Sequence, residues 1–188
     1  MSTAETGIAL KPSALMILFN GFEEIEAICT LDILRRGGVD VKTVSIDSQP
    51  VIVGSHGVSI AVDLIATPEE MPEFLIIPGG PGVFKLRGNE VIKTLIQKQN
   101  EQQLGIAAIC AAPILLDDLA LLDGKKFTAH NSLQGELARG LYFEQVVVDG
   151  NITTACGPGA AMQFGFSILE QLTSKDTRDT VAKQMMVI

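Results

Sequence analysis

The run Ala107-Ala108-Ile109-Cys110-Ala111-Ala112-Pro113 sets a thiol between a short apolar stretch and a helix-like one, with very small residues on either side. That spacing predicts a nucleophile elbow. Such a strand-to-helix turn presses together the residues two before and two after the nucleophile, so only Gly or Ala is admitted there, and Ala108 and Ala112 fit. A cysteine at a helix start also meets exposed N–H groups and the positive end of the peptide dipoles, which lower its pKa and raise its thiolate fraction. The expected chemistry is attack by sulfur on an electrophile, or oxidation of the sulfur itself. Cysteine is also a common small filler of buried space, but the elbow placement favours the reactive reading.

Glu26, in Gly21-Phe22-Glu23-Glu24-Ile25-Glu26, falls in the first turns of the helix that leaves the first strand. Glu23 and Glu24 are read as no more than favourable charges at a helix N-terminus. If Glu26 points across to Cys110, a carboxylate and a thiolate in contact repel, and one of them keeps a proton. A protonated Glu26 donating to the Cys110 thiolate is then the lowest-energy arrangement; it raises the acid's pKa, lowers the thiol's and makes a proton shuttle.

Gly79 and Gly80, in Pro78-Gly79-Gly80-Pro81-Gly82, are candidates for an anion pocket, because a chain without Cβ atoms approaches closely, and the backbone of Ala111 is included with them. An ordinary turn would use the same glycines. His130 follows Thr128-Ala129 and is a candidate general base or polariser for Cys110, with a solvated loop histidine as the alternative. Cys156, before Gly157-Pro158, is a possible pocket neighbour. Cys29, one turn after Glu26, is expected to pack, and His56 is given no role. With two histidines and no CxxC or HxxxH spacing, no metal is expected.

The elements that must position these residues read as short apolar runs alternating with amphipathic ones, the pattern of buried parallel strands joined by helices, and hence an α/β fold. Strands are predicted over 14–19, 39–46, 74–77, 104–109, 127–129, 145–148 and 151–155. Helices are predicted over 23–36, 89–99, 111–122, 160–172 and 176–186, with 51–62 forming a small hairpin outside the main sheet. In an open α/β sheet ligands bind beyond the carboxyl ends of the strands. Five segments converge there: 20–26, 79–82, Cys110, His130 and 157–159.

At 188 residues, 47% of them apolar, the chain is expected to be a single domain over 1–188 with a flexible segment at about 1–12. Its 14 basic and 22 acidic side chains leave a charge of −8, which argues against a nucleic-acid partner. No apolar run of membrane-spanning length and no signal peptide is read, so no membrane partner and a cytoplasmic location are expected. Three widely spaced cysteines do not suggest a disulfide framework.

Together, Gly21-Phe22-Glu23-Glu24-Ile25-Glu26, Asp32 with Arg35-Arg36-Gly37-Gly38, Ile77-Pro78-Gly79-Gly80, the 107–113 elbow and Gly157-Pro158-Gly159 resemble the DJ-1/ThiJ/PfpI superfamily over nearly the whole chain, specifically its small single-domain homodimeric branch. The resemblance implies a three-layer α/β/α sandwich with a flavodoxin-like, mostly parallel sheet. It makes Cys110 the reactive cysteine, Glu26 its protonated partner, His130 the nearby histidine and Gly79-Gly80 part of the anion pocket. It implies a homodimer without cofactor acting on small aldehydes or glycated substrates: a glutathione-independent glyoxalase converting methylglyoxal to lactate, or a related deglycase. A non-catalytic oxidative-stress sensor or chaperone, working through sulfinic acid at the same cysteine, is the alternative. Peptidase or amidase activity is disfavoured, because the histidine that follows the nucleophile in the protease-like branch is Ala111 here. In some relatives an arginine precedes the Gly-Pro-Gly turn; here Cys156 does, and it would allow a disulfide with Cys110 if the geometry permits.

Overall fold

A computed structural model describes residues 11–65 and 69–187. The segment expected to be flexible therefore lies, for residues 1–10, outside the described residues. The strands are β1 (Ser13–Leu18), β2 (Asp40–Ser45), β3 (Val51–Val53), β4 (Ser59–Ala61), β5 (Phe74–Ile77), β6 (Gly105–Ile109), β7 (Val146–Asp149) and β8 (Ile152–Ala155). The helices are α1 (Glu24–Arg36), α2 (Val83–Leu86), α3 (Glu90–Glu101), α4 (Pro113–Asp117), α5 (Ala161–Leu172) and α6 (Lys175–Gln184).

Continuous apolar strands such as Phe74–Ile77, buried at every position, need cover on both faces. They form one sheet in the order β2-β1-β5-β6-β8-β7, parallel except where β7 runs against β8. The crossover through α1 steps from β1 to β2, and the crossover through α3 steps the opposite way, from β5 to β6. Right-handed crossovers stepping in opposite directions place their helices on opposite faces. The result is a three-layer, flavodoxin-like α/β sandwich. Helix α5 packs on α1, where Gly165 lets the helices close: a Cβ there would lie 2.9 Å from Ile33 Cδ1. Phe19, Phe22, Phe127 and Phe164 are fully buried between the layers. β3 and β4 form the separate antiparallel hairpin.

Two expected elements differ. Residues 127–129 are buried but form no strand, because the place beside β8 is taken by β7. Thr128 instead donates its N–H to Thr154 Oγ1 and its hydroxyl to the Glu144 carbonyl. The helix expected over 111–122 is only Pro113–Asp117. Beyond it Ala120 adopts φ 57°, its N–H bonding to the Asp117 carbonyl while the Leu121 N–H bonds to that of Leu116. This is a Schellman-type ending with alanine in the usual glycine position, so no glycine marks it. The short α2 was not anticipated. Among the described residues no helix is long and apolar enough to cross a membrane.

Candidate active site

Strand order reverses direction around β1 and β5, and at such a switch point an open α/β sheet binds ligands beyond the carboxyl ends of its strands. Beside it β6 ends at Ile109 and the chain turns sharply: Cys110 adopts φ 63°, a left-handed conformation that costs a residue bearing Cβ. Both of its backbone groups are held. Its N–H donates to Ala155 O at 2.8 Å and its carbonyl accepts from His130 N at 2.9 Å. Ala108 and Ala112, buried completely, leave room for the turn.

Opposite the elbow, α1 begins. Glu23 is its N-cap, its carboxylate accepting from Glu26 N at 2.8 Å. In a capping box the glutamate three residues into the helix reaches back to the cap's own N–H. Here that N–H is already bonded to Gly79 O at 3.0 Å, and Glu26 turns inward, where Oε2 accepts from Gly79 N at 2.7 Å. The Gly79 peptide is thus tied to α1 at both ends. A Cβ on Gly79 would lie 2.6 Å from Cys110 Cβ and 2.8 Å from Glu26 Oε2, so only glycine lets the three meet. Gly80, at φ 101°, likewise sits against the backbone of residues 21–23.

Gly79 N–H is therefore spent on Glu26, and the backbone donors that face the sulfur are Gly80 N–H and Ala111 N–H. Glu26 is 1% exposed, and its Oε1 has no conventional partner among the described residues, with the Cys110 thiol beside it. Burial raises the Glu26 carboxyl to about 7, against the pull of the Gly79 N–H and the thiol. Burial and then the Glu26 charge push the Cys110 thiol up to about 12, against the two backbone N–H groups. This is opposite to the lowering expected from a helix start, and one reason is that α4 spans only five residues and offers a weak dipole. The two groups titrate as one pair, losing a first proton near neutrality and a second only in strong alkali.

His130 reaches the elbow through its backbone. Its side chain is exposed, and Ser132 donates its N–H to Nδ1 at 3.2 Å, which leaves the proton of a neutral ring on Nε2. The ring lies beside Gly157, a Cβ there being 3.5 Å from His130 Cδ2. Cys156, half-buried, follows β8 immediately after Ala155. Cys29 lies on α1, where burial and then Asp32 raise its pKa. A separate cavity of about 300 Å³ lined by Leu86, Arg87, Ile92 and Leu115 holds none of these groups, and its Arg87 is engaged by Asp118 and Glu136.

The chain matches the DJ-1/PfpI family over residues 12–171. It belongs to that family. It is 33% identical over 184 residues to Drosophila melanogaster Protein dj-1beta, covering 95% of this chain and 98% of the relative. The crystal structure of Drosophila DJ-1beta superposes with a TM-score of 0.86 at 30% identity, covering 94% of this chain and 98% of that one. A Caenorhabditis elegans relative named Glutathione-independent glyoxalase DJR-1.2 is 32% identical over 184 residues, 95% of this chain and 98% of its own length. Against the longer Arabidopsis thaliana Protein DJ-1 homolog A, 31% identical over 93% of this chain, the match spans 46% of the relative.

One contact of this DJ-1/PfpI protein was not legible beforehand. Glu24 and His56, given no specific role from the sequence, clip the β3–β4 hairpin to the start of α1. Glu24 accepts from His56 N at 2.6 Å, from Ser55 Oγ at 3.2 Å and from Val58 N at 3.4 Å, and His56 Nδ1 lies 2.9 Å from its Oε2. Glu23, Glu24 and His56 bring ligand-type atoms within 4.8 Å of one another, but the Glu24 oxygens are already engaged, so the cluster acts as a latch. Burial alone would raise the Glu24 carboxyl; the His56 side-chain and backbone bonds overcome it and hold the group at about 2. The Glu24 bond and charge raise His56 from 6.5.

The sign of the pH effect follows. The His56 contribution is complete below 6.5 and is lost as pH rises through its raised value; the Glu24 contribution is complete above 4.5 and is lost as pH falls through about 2. The latch is strongest between pH 4.5 and 6.5. Protection of the hairpin amides from hydrogen exchange should fall from pH 6 to pH 9 in the wild type and stay level in His56→Gln; equal pH dependence in both proteins would disprove the latch.

Proposed function

We propose that this protein is a cysteine-dependent, cofactor-free enzyme acting on small reactive aldehydes, as a glutathione-independent glyoxalase converting methylglyoxal to lactate. The observation that carries the reading is Glu26, buried against Cys110 with an acid pKa near 7, inside a cradle whose two backbone N–H groups face the sulfur. The name of the Caenorhabditis elegans relative points the same way.

In the singly ionised pair the charge rests on sulfur. Sulfur receives two backbone N–H groups where the carboxyl receives one, and a proton held on the unpartnered Oε1 donates to it. The rise of the thiol toward 12 comes first from burial and then from removing a second proton beside a charged Glu26. The thiolate adds to the aldehyde carbon, a C–S bond forms, and Glu26 gives its proton to the new alkoxide. As a carboxylate, Glu26 then takes the C1 proton and returns it to C2 while the C1 hydroxyl proton passes to the C2 oxygen, leaving a thioester. Water cleaves that C–S bond, its hydroxyl going to C1 and its other proton to Glu26, so lactic acid departs with both the thiolate and the protonated Glu26 restored. An acid near pH 7 is suited to both giving and taking the proton. His130, whose ring lies beside Gly157, is assigned the role of orienting the substrate oxygen.

Reduced protein supplied with methylglyoxal and no glutathione should produce lactate over many equivalents; a single equivalent or none sinks the glyoxalase reading. We place the working form in the cytoplasm, as a single-domain homodimer joined through α1 and the hairpin, whose exposed Ile25, Ile28, Val51 and Val58 present an apolar face. Light scattering should give twice the chain mass, falling to one chain mass in Ile25→Glu; a wild-type monomer contradicts it.

A further inference from the structure

Beyond the aldehyde chemistry, the ends of β6 and β8 place two cysteines opposite one another in the ladder. Ile109 is the register partner of Ala155. In this parallel ladder Ile106, partner of Ile152, sends its N–H to Asn151 O, the carbonyl just before its partner. Cys110 sends its N–H to Ala155 O in the same way, so its place in the ladder is opposite Cys156. The rung stops half-made, because the Cys110 carbonyl accepts from His130 N and Cys156 N donates to Gln145 O. Neighbouring strands lie about 4.8 Å apart, inside the window of about 4.4–6.8 Å between Cα atoms that a disulfide spans. Both cysteines are half-buried and free. The third, Cys29, sits on α1 and not on either strand.

We propose that Cys156 is a resolving cysteine: hydroperoxides oxidise Cys110, and Cys156 captures the product as a reversible Cys110–Cys156 disulfide that switches the site off and spares it from over-oxidation. The Cys110 thiolate attacks the peroxide; an S–O bond forms, the O–O bond breaks and, with one proton, an alcohol or water leaves. Sulfur is oxidised by two electrons to sulfenic acid and the peroxide is reduced by two. The Cys156 thiol then attacks that sulfur, the S–S bond forms, the S–O bond breaks, and the departing hydroxide leaves as water with the Cys156 proton. A dithiol reductant reopens the bond by exchange.

This inference rests on the reading of Cys110 as an accessible nucleophile, but its test reads sulfur chemistry and not turnover. Reduced wild type, treated with a slight excess of hydrogen peroxide, should lose the mass of two hydrogens. A non-reducing digest should yield a peptide pair linked through Cys110 and Cys156, and dithiothreitol should restore both thiols. Cys156→Ser, checked for an unchanged thermal midpoint, should instead gain two oxygens on Cys110 and not recover. Gain of two oxygens in the wild type at the rate of the variant, or a disulfide to Cys29, overturns the proposal. A protein that forms the disulfide yet makes no lactate keeps this inference and loses the glyoxalase reading; lactate without the disulfide does the reverse.

Discussion

Replacing Cys110 by serine should remove methylglyoxal turnover by about 10³-fold or more while leaving the fold in place. A hydroxyl in that position has no nearby base strong enough to ionise it, since the adjacent Glu26 titrates near 7. The substitution removes no packing of consequence: the sulfur is half-buried, and the elbow is fixed by backbone bonds to Ala155 and His130 that serine keeps. Lactate formation measured alongside the thermal midpoint separates the two effects. Lactate yield within tenfold of the wild type would show that sulfur is not the nucleophile.

Glu26→Gln should lower kcat by about 10²–10⁴-fold, the range for a lost general acid–base group, and should also stabilise the protein above neutral pH. The sign comes from linkage. The Glu26–Cys110 pair keeps both protons to about 7 in the folded chain, whereas the unfolded carboxyl loses its own near 4.5, so the folded state binds the extra proton and stability falls as pH rises between those values. The loss is of order 3 kcal/mol at pH 8. Glutamine retains an oxygen for Gly79 N–H and never carries the charge, so the wild type should fall in stability from pH 5 to pH 8 in chemical denaturation while the variant does not. Parallel pH curves would mean that Glu26 is not buried as an acid. The more stable, less active variant would be an instance of strain retained at a site for function.

The parts of this architecture that depend on periodicity were readable in advance. The all-buried strand 74–77, the elbow alanines around Cys110 and the glycines after β5 each follow from one local requirement, a doubly covered strand or a turn without room for larger side chains. What escaped depends on contacts distant in sequence. Nothing near Glu24 announces His56 in a hairpin 32 residues later. The role of Gly79 changed for a similar reason: its N–H was free to serve an anion until Glu23 occupied its carbonyl and Glu26 turned to accept from it. Local signals also failed where a rule was broken without a marker. The early end of α4 uses Ala120 at positive φ where a glycine would have been noticed.

The short α4 bears on the chemistry as well. A long helix would lower the thiol's pKa by its dipole, with or without a partner. With five residues in α4, the thiolate depends on the proton held by Glu26 and on the N–H groups of Gly80 and Ala111. The central claim is therefore that one proton is shared by this pair near neutrality, with the charge on sulfur.

The direct test is to follow the ultraviolet absorbance of the thiolate against pH in Cys29→Ser/Cys156→Ser protein, with and without Glu26→Gln. The account predicts a Cys110 midpoint near neutrality, well below the value of about 8.5 for a free thiol, rising when Glu26 becomes glutamine because the amide is the weaker donor. A midpoint above the free-thiol value that falls on the same substitution would place the charge on the carboxylate and contradict it.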